Sequence, residues 1–425
     1  MNKALRTTLA LLITLLACMP MHAGKPRVLV STDIGGTDPD DNQSMAHMLM
    51  FSDRYDIEGI VSSPSYGEGS TAEILRMIDI YEKDLPKLDR HIPGLARPDA
   101  LRAVTKQGRK GRAPYCGYSS PTEGSDWIIE CARRQSDRPL WVLVWGGLED
   151  VGQALHDAPD IADKIKVYWI GGPNKKWSTN TYAYIVEKFP NLWMIEDNAS
   201  YRGFTAQKKN PDRYHGGFYE ACMRGAGHTG ADFIRYYEGL PKLGDTPSLL
   251  YVMNGEPDDP TGESWGGSFE LTDRSPRQVF HRPTTGADTV PIYSIIELHV
   301  KGSVKDDIAP DSVCFKMEIR KQVWDGYYLG DGDYAVRHST YYLGELPYKI
   351  TSHIEGFPEY EGAITVENLW PGRKSPDDYK VGATWYTDKS DPALFEDKIQ
   401  GAKTVSKWRE AVYDDWARRL DLLKE

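Results

Sequence analysis

Four carboxylates lie within nine residues of one another near the start of the chain: Asp33, Asp38, Asp40 and Asp41. They directly follow the apolar run 28–30, and a helical pattern begins at Asn42. Carboxylates this close repel one another, and a helix N-terminus offsets only about 0.3–1 kcal/mol for each of them. A hard divalent cation offsets far more, and ligands that are all oxygen suit calcium or magnesium. The spacing therefore predicts a metal site where a buried strand ends.

Two other interpretations of this acidic loop fit less well. An EF-hand loop needs alternating acidic positions, a central glycine and a closing glutamate, which this loop lacks. The string Asp-Ile-Gly-Gly-Thr at 33–37 is also similar to the first phosphate-binding loop of sugar kinases. Such loops continue into the second strand of a hairpin, whereas here Pro39 and a helical pattern follow. The metal site remains the preferred interpretation.

The elements that must position this loop alternate along the first 250 residues. Strands are predicted at 27–31, 57–62, 140–145, 166–170 and 192–195. Helices are predicted at 42–51, 71–81, 125–134 and 150–156. This alternation predicts a doubly wound, mainly parallel α/β sheet, in which ligands bind outside the carboxyl ends of the strands. The loops expected to form the site begin at Asp33, Ser63, Gly146 and Gly171.

The pattern changes after about residue 271. Apolar and polar residues alternate at 294–300 and 313–320, which predicts antiparallel strands with one wet face. Near the end of the chain, apolar residues between 405 and 423 recur at spacings of three and four. This is typical of an amphipathic helix that packs its apolar face on the rest of the protein. We predict four parts: a signal peptide at 1–23, an α/β domain at 24–270, an inserted β-rich module at 271–385, and a C-terminal helix at 386–425 that returns to the α/β domain.

Composition excludes several classes of protein. The 425 residues are 40% hydrophobic and 27% charged, which is ordinary for a globular chain with a full core. The net charge is −11 and no basic block is present, so a nucleic-acid partner is not expected. A small molecule or a glycan is the expected ligand.

The first 23 residues have the features of a secretory signal. A basic start precedes the apolar run 9–19, and small residues follow at Ala23 and Gly24. We therefore expect export to the periplasm or the extracellular space. The segment 15–18 also resembles a lipoprotein cleavage box, in which Cys18 would carry a lipid and attach the chain to a membrane. The other four cysteines are expected to be buried free thiols or to form one disulfide.

Five segments, taken together and in order, resemble the motifs of nucleoside hydrolases: 31–41, 57–63, 142–150, 168–172 and 243–250. The chain is especially similar to the exported, nucleoside hydrolase-like family named after a cellulose-binding protein. That resemblance rests on the Thr-Asp-Ile-Gly-Gly opening and on the segments 198–203 and 265–267. It covers about residues 26–270 and the terminal helix.

The resemblance implies a calcium ion held by Asp33, Asp41, the main-chain carbonyl of Trp145, and Asp245. In that family such an ion coordinates two sugar hydroxyls and a water, while the residue matching Asp33 takes the proton of the water as general base. Asp40 is expected to hydrogen-bond a sugar hydroxyl. The bond broken is an N-glycosidic or related furanosyl bond.

The remaining substrate-binding residues are predicted from position. The family has a Glu-x-Asn motif that corresponds either to Asn191, by its place before a strand, or to Glu196 and Asn198, by their spacing. A third interpretation, equally supported, is that these polar residues cap turns and bind no ligand. Tyr66 stands where nucleoside hydrolases usually carry an asparagine. Trp265 is an aromatic residue near the inferred mouth of the site, where its ring would stack on a sugar or a base.

At one position the chain differs from nucleoside hydrolases, and this difference leaves two functions to be considered. Nucleoside hydrolases often carry a histidine before the last metal-binding aspartate, where it helps the leaving group depart, and here that position is Gly244. The first expectation is an exported, calcium-dependent hydrolase of a nucleoside or furanoside. The alternative is a non-catalytic protein that binds carbohydrate, such as plant polysaccharide, on the same scaffold.

Overall fold

A computed structural model describes residues 24–36, 38–65, 67 and 69–424. The main sheet contains eight strands, which are β1 (Arg27–Thr32), β2 (Asp56–Ser62), β3 (Thr105–Gln107), β4 (Leu140–Val144), β5 (Ile165–Ile170), β6 (Trp193–Asp197), β7 (Phe269–Leu271) and β18 (Trp385–Asp388). Their order across the sheet is β3-β2-β1-β4-β5-β6-β18-β7. All neighbouring pairs are parallel except β18 and β7.

This strand order creates a crevice between β1 and β4. The chain runs outward from β1 to β3 on one side and from β4 to β6 on the other. The connections after β1 and after β4 therefore leave in opposite directions, which opens a cleft at the carboxyl ends of the two strands. Asp33 follows β1 directly and Trp145 follows β4 directly.

Helices cover both faces of the main sheet. They are α1 (Asp40–Met50), α2 (Thr71–Leu88), α3 (Pro98–Ala103), α4 (Glu123–Arg133), α5 (Glu149–Asp157), α6 (Thr179–Lys188), α7 (Gly227–Phe233), α8 (Thr246–Met253), α9 (Lys403–Ser406) and α10 (Arg409–Asp421). Successive residues of β1 point to opposite sides, so Val28 and Val30 join one core and Leu29 joins the other. The first core also contains residues of α1, α2, α8 and α10, and the second contains residues of α4, α5 and α6.

A second sheet of eight mostly antiparallel strands follows. Its strands are β9 (Arg277–Phe280), β10 (Thr289–Pro291), β11 (Ile295–Lys301), β12 (Val313–Ile319), β13 (Gln322–Gly330), β14 (Asp333–His338), β15 (Gly344–Ser352) and β16 (Tyr360–Glu367). Two short strands, β8 (Arg274–Ser275) and β17 (Tyr379–Lys380), pair with each other. In β12, Phe315, Met317 and Ile319 are buried while Lys316 and Glu318 between them are exposed, which is the one-sided pattern expected from the sequence for this stretch.

The second sheet packs on the α/β domain through a partly buried ionic cluster. Tyr115 Oη donates to Glu297 Oε1 at 2.8 Å, and Arg337 Nη1 donates to the Tyr115 carbonyl at 2.8 Å. Arg337 Nε also donates to Glu297 Oε2 at 2.8 Å. The nearby Cys116 amide donates to Asp311 Oδ1 at 3.1 Å. These contacts fix the module beside the loop that precedes α4.

The C-terminal helix α10 packs on α1. Trp416 is completely buried, and its Nε1 donates to the Met50 sulfur at 3.2 Å. Its ring also meets the His47 ring edge-on, with centroids 5.0 Å apart. Arg419 Nη2 donates to Asp53 Oδ2 at 3.1 Å, just beyond the end of α1. The last element of the chain therefore supports the helix that begins with Asp40.

The fold class expected from the sequence is confirmed: a mainly parallel α/β sheet, a mostly antiparallel second module and a C-terminal helix. The domain boundaries at 270 and 385 stay predictions. The predicted signal peptide at 1–23, with Cys18, lies outside the described residues. Cys116, Cys131, Cys222 and Cys314 are free thiols. Among the described helices, none combines the length and apolarity needed to cross a membrane.

We predict that Trp416→Ala destabilises the α/β domain by about 3–5 kcal/mol, because it leaves a cavity between α10 and α1. Urea unfolding followed by circular dichroism measures this loss. Arg418→Ala is the control, since Arg418 is exposed and pairs with Asp415 on the surface, and its effect should stay within about 0.5 kcal/mol. Equal midpoints for the two variants would contradict the supporting role of α10.

Candidate active site

A cavity of about 330 Å³ opens at the carboxyl ends of β1, β4 and β5. Its acidic part is lined by Asp33, Asp38, Asp40, Asp41 and Asp245. The volume lies at the lower end of the range of about 300–1,000 Å³ that is typical of small-molecule sites. The structure therefore brings the acidic loop to a small cavity at the crevice between β1 and β4.

Asp33 is held by its strand and by two neighbouring loops. The preceding strand β1 is buried along its whole length, which fixes the backbone at this point. Ser65 Oγ donates a hydrogen bond to Asp33 Oδ2. Gly146 provides the space, because a Cβ atom there would lie 2.7 Å from the Asp33 Cβ. A larger residue at 146 would push the Asp33 side chain out of this position.

Asp40 and Asp41 are the first two residues of α1, where the helix dipole favours negative charge. Both are buried, with exposures of 8% and 2%. Thr32 Oγ1 donates to Asp41 Oδ1, which ties the helix start to the end of β1. Lys242 Nζ lies 3.0 Å from Asp40 Oδ2 and supplies a positive charge.

Asp245 enters the cluster from the residue before α8. Ser248 Oγ donates to the Asp245 carbonyl at 2.7 Å, and Trp145 Nε1 donates to Ser248 Oγ at 2.8 Å. The two predicted ligands Asp245 and Trp145 are thus connected through one serine. Asp245 Oδ2 is buried and accepts no hydrogen bond from the described residues. A buried carboxylate oxygen without a donor is costly unless a ligand satisfies it.

Burial and mutual repulsion make these carboxylates hard to ionise. Desolvation raises the pKa of Asp33 to about 7 and raises the pKa of Asp41 and of Asp245 well above the usual range. Like charges nearby add to the effect for both Asp41 and Asp245. One carboxylate oxygen each from Asp40, Asp41 and Asp245 lie within 4.8 Å of one another. Asp33 is outside this group of three, and its charge is one of the causes that raise the pKa of Asp41.

These residues fit a metal ion. The donor set is entirely oxygen, it is buried, and it includes the unsatisfied Oδ2 of Asp245. Lys242 is shared between Asp38 and Asp40, so its single charge leaves most of the negative charge uncompensated. A divalent cation would balance that charge and occupy the free acceptor.

Trp145, the predicted main-chain ligand, lines the same cavity. Its carbonyl accepts a hydrogen bond from Asn174 Nδ2 at 3.1 Å. A carbonyl oxygen has a second lone pair, so this contact orients the group without blocking it. Asn174 lies in the single helical turn Gly172–Lys176 after β5, which therefore supports the turn after β4.

The turn after β4 also contains a buried glutamate. Glu149, the first residue of α5, is 3% exposed, and its Oε2 accepts from Ser178 Oγ at 2.7 Å. The Leu148 amide donates to the same Ser178 Oγ at 3.0 Å. Desolvation raises the pKa of Glu149 to about 7. Through Ser178, Glu149 stabilises the turn that follows Trp145. Its buried surroundings disfavour the charged form of its carboxyl group.

The structure does not bring Glu196 and Asn198 to the cavity lining. Glu196 forms a buried ion pair with Lys175 and accepts from Tyr182 Oη at 2.6 Å and from Trp385 Nε1 at 3.0 Å. Asn198 Nδ2 donates to Glu196 Oε1 at 2.9 Å. These groups satisfy one another in the interior, next to β18.

Three other predicted residues lie apart from the cavity or outside the described chain. Asn191 is exposed before β6, and its carbonyl accepts from Thr384 Oγ1 at 2.9 Å. Trp265 is half-buried against the core that includes α8. Neither lines the cavity. Tyr66 lies outside the described residues.

Several lining residues were not predicted from the sequence. Lys242, Asn174 and Lys176 belong to no motif that the sequence analysis used, although Lys242 precedes Asp245 by only three positions. The second sheet adds Gln322, Tyr341 and Tyr342. The aromatic-rich stretch at about 324–342 is the feature of the sequence that could have indicated the two tyrosines. The sequence does not show, however, which of its side chains point toward the cavity.

Gly244 has a structural reason to lack a side chain. A Cβ atom at this position would lie 2.1 Å from Asp40 Oδ2. A histidine here would therefore require the Asp40 carboxylate to move away from its present position. The glycine at position 244 therefore leaves the space in which the buried Asp40 carboxylate lies.

Comparison with known families gives two matches. The family described as "Cellulose-binding Sde182, nucleoside hydrolase-like domain" matches residues 27–269, which is more than half of the chain. A model described as a domain of unknown function (DUF5060) matches residues 289–353, within the second sheet. No curated protein matches the chain.

Solved structures with a similar fold include nucleoside hydrolases. A nucleoside hydrolase-related hypothetical protein from Saccharophagus degradans, described as associated with carbohydrate metabolism, is 18% identical with a TM-score of 0.49, covering 81% of this chain and 100% of that chain. The inosine-uridine preferring nucleoside hydrolase from Bacillus anthracis is 16% identical with a TM-score of 0.38, covering 60% and 87%. The purine-preferring ribonucleoside hydrolase from Gardnerella vaginalis is 15% identical with a TM-score of 0.37, covering 59% and 84%. At these identities the likeness does not extend to a substrate.

We predict that Glu149→Gln becomes progressively more stable than the natural protein as pH rises. The pKa of Glu149 is higher in the folded protein than in the unfolded chain, so its contribution to stability is present below pH 4.5 and lost by about pH 7. The difference in unfolding free energy between variant and natural protein should grow by about 2–3 kcal/mol between pH 5 and pH 8. Urea unfolding at both pH values measures it.

The control for this prediction is Glu123→Gln, because Glu123, like Glu149, lies in the first turn of a helix but is exposed, whereas Glu149 is buried. It should show no such growth. A Glu149→Gln difference that is constant with pH would show that Glu149 is ionised normally in the folded protein.

Proposed function

This chain belongs to the family described as cellulose-binding Sde182, nucleoside hydrolase-like domain, and on that premise we propose that it is an exported, calcium-dependent hydrolase of N-glycosidic or related furanosyl bonds. The observation that carries the proposal is the buried oxygen cluster of Asp40, Asp41 and Asp245 beside Asp33, at a cavity of small-molecule size. The proposal of export rests on residues 1–23.

The proposed ligands of the ion are those that the family resemblance implies, namely Asp33, Asp41, Asp245 and the Trp145 carbonyl. In the structure the three carboxylate oxygens that lie within 4.8 Å of one another belong to Asp40, Asp41 and Asp245, so Asp40 is the neighbouring carboxylate of this set. Calcium is preferred to magnesium because it accepts carboxylates and carbonyls in flexible arrangements, whereas magnesium demands near-octahedral geometry and keeps several waters. When bound, such an ion supplies Lewis-acid chemistry, in which it binds sugar hydroxyls and makes water a better nucleophile.

The residues of the chain would do the remaining work. Asp33 would accept the proton of the attacking water, with Ser65 Oγ holding its Oδ2 in place. Asp40 would accept a hydrogen bond from a sugar hydroxyl while Lys242 neutralises part of its charge. As the glycosidic bond breaks, positive charge develops on the sugar ring, and the surrounding carboxylates would stabilise it.

A second candidate is a carbohydrate-binding protein that does not cleave its ligand. It is supported by the description of the family as cellulose-binding and by Gly244, where a leaving-group histidine is absent. A binding site for flat cellulose usually needs exposed aromatic rings. Among the described large hydrophobic residues, Tyr237 is the one exposed aromatic residue. This makes hydrolysis of a small glycoside the better-supported proposal.

We predict that calcium raises the melting temperature of the natural protein and that Asp41→Asn abolishes this rise. At a calcium concentration one hundred times the dissociation constant, binding stabilises the folded state by about 2.7 kcal/mol. The measurement is a thermal melt in EDTA and in calcium, with magnesium as a comparison. The matched control is Asp137→Asn, whose side chain is 96% exposed, and it should retain the full rise. An unchanged rise in Asp41→Asn would refute the assignment of Asp41 as a ligand.

We also predict that the natural protein releases reducing sugar from at least one member of a panel of nucleosides and furanosides, and that Asp33→Asn lowers the rate by about 10²–10⁴. Asp137→Asn again serves as the control and should keep full activity. If calcium binds but no compound is cleaved, the non-catalytic alternative is favoured, and retention of the intact chain on insoluble cellulose then tests it.

A further inference from the structure

The cavity has a second part with a different chemistry. Besides the carboxylates it is lined by Lys176 and Trp177, which follow β5, and by Gln322, Tyr341 and Tyr342 from the second module. Two separate elements thus combine a cation with aromatic rings beside the acidic cluster. The proposed hydrolysis assigns no role to this part.

Lys176 is fixed in the wall of this part of the cavity. It is 6% exposed, and its Nζ donates to Gln322 Oε1 at 3.2 Å. The same Nζ lies 4.5 Å from the ring centroid of Trp177 and 5.5 Å from that of Tyr341. Its neighbour Lys175 turns inward and pairs with Glu196, so the two consecutive lysines have different roles.

The backbone that carries Lys176 is tied to the acidic side of the cavity. Asn174, two residues earlier, donates to the carbonyl of Trp145 at 3.1 Å and to that of Ile170 at 3.1 Å. The same short helical turn therefore connects a proposed metal ligand with a lysine that lines the same cavity. A substrate that contacts the carboxylates with its sugar can extend toward the lysine with its leaving group.

We propose that Lys176 is the general acid that protonates the leaving group, a role that rests on the proposed hydrolysis. The position that often carries a histidine for this purpose is Gly244, and Asp40 excludes a side chain there. Lys176 is a cationic donor that lines the same cavity and is held by residues outside the acidic cluster.

The step balances with water as the only co-reactant. The bond between the anomeric carbon and the leaving nitrogen or oxygen breaks, and its electron pair leaves with that atom, which takes a proton from Lys176 Nζ. The water oxygen forms the new bond to the anomeric carbon, and its proton goes to Asp33. Exchange with solvent then returns a proton to Lys176 and removes one from Asp33.

The surroundings of Lys176 make it a stronger acid than an ordinary lysine. Desolvation, with a contribution from the charge of Arg320, lowers the pKa of Lys176 to about 8. At neutral pH the group is then mostly protonated, yet it releases its proton far more readily than a lysine with a pKa of about 10.4. The hydrogen bond to Gln322 Oε1 is compatible with the protonated form, which has three donors.

The aromatic rings indicate the class of leaving group. Tyr341 and Tyr342 stack with centroids 4.2 Å apart, and the Trp177 ring, whose centroid lies 4.5 Å from Lys176 Nζ, belongs to the same lining. Ring faces of this kind pack against flat apolar groups. These rings are compatible with a furanoside whose leaving group is planar and carries a nitrogen or oxygen acceptor.

The test compares two substrates that share one sugar, a nitrophenyl furanoside and the matching nucleoside. Nitrophenolate departs without a proton, whereas a nucleobase needs one. Lys176→Met should lower kcat on the nucleoside by about 10²–10⁴ and change kcat on the nitrophenyl compound by less than about tenfold. Lys176→Arg should behave like Lys176→Met, because arginine keeps the charge but does not release its proton.

Lys349→Met is the matched control, since Lys349 lies on the wet face of the second sheet and should retain both activities. A thermal melt of each variant establishes that it is folded. Equal losses on both substrates, or no loss on either, would overturn the role of Lys176 while leaving the hydrolase intact. If the natural protein cleaves neither substrate, the proposed hydrolysis fails and the role of Lys176 fails with it.

Discussion

The structure depends on one electrostatic constraint, which is the burial of several carboxylates at the crevice between β1 and β4. Asp40, Asp41 and Asp245 are buried and Asp33 beside them is half-buried, and Lys242 is the positive charge near Asp33, Asp40 and Asp245. Because burial penalises ionisation, the cluster is unfavourable without a cation. Close packing around it leaves little freedom, as Gly146 and Gly244 both lack a side chain where a Cβ would collide with an aspartate.

Distant parts of the chain hold this constraint in place. The helix α1 presents Asp40 and Asp41 at its first turn, and its far end is supported by Trp416 and Arg419 of α10. Since α10 lies more than 360 positions away in sequence, the site requires the chain to return across the whole domain. The contacts of α10 at the far end of α1 thereby help to keep Asp40 and Asp41 in place at its first turn.

The second sheet gives the cavity its second chemical half. It is anchored through Glu297 and Arg337, and it contributes Gln322 and two tyrosines to the lining. The two halves suit the two ends of a glycoside, because carboxylates bind hydroxyl groups and aromatic rings pack against a flat leaving group. The cavity of about 330 Å³ offers both chemistries to a glycoside of the proposed class.

Local sequence alone determined the fold class and the acidic loop, because strand and helix periodicity and the order of motifs are carried by short segments. The placement of Asp33, Asp41 and Asp245 at one cavity follows from strand ends that must meet at one edge of a sheet. Tertiary structure alone decided that Glu196 pairs with Lys175 inside the core and that Lys176, its neighbour, faces the cavity. The position of each side chain depends on its neighbours in the folded protein, which are β18 for Glu196 and the second sheet for Lys176. A short motif contains no information about contacts made more than a hundred positions away.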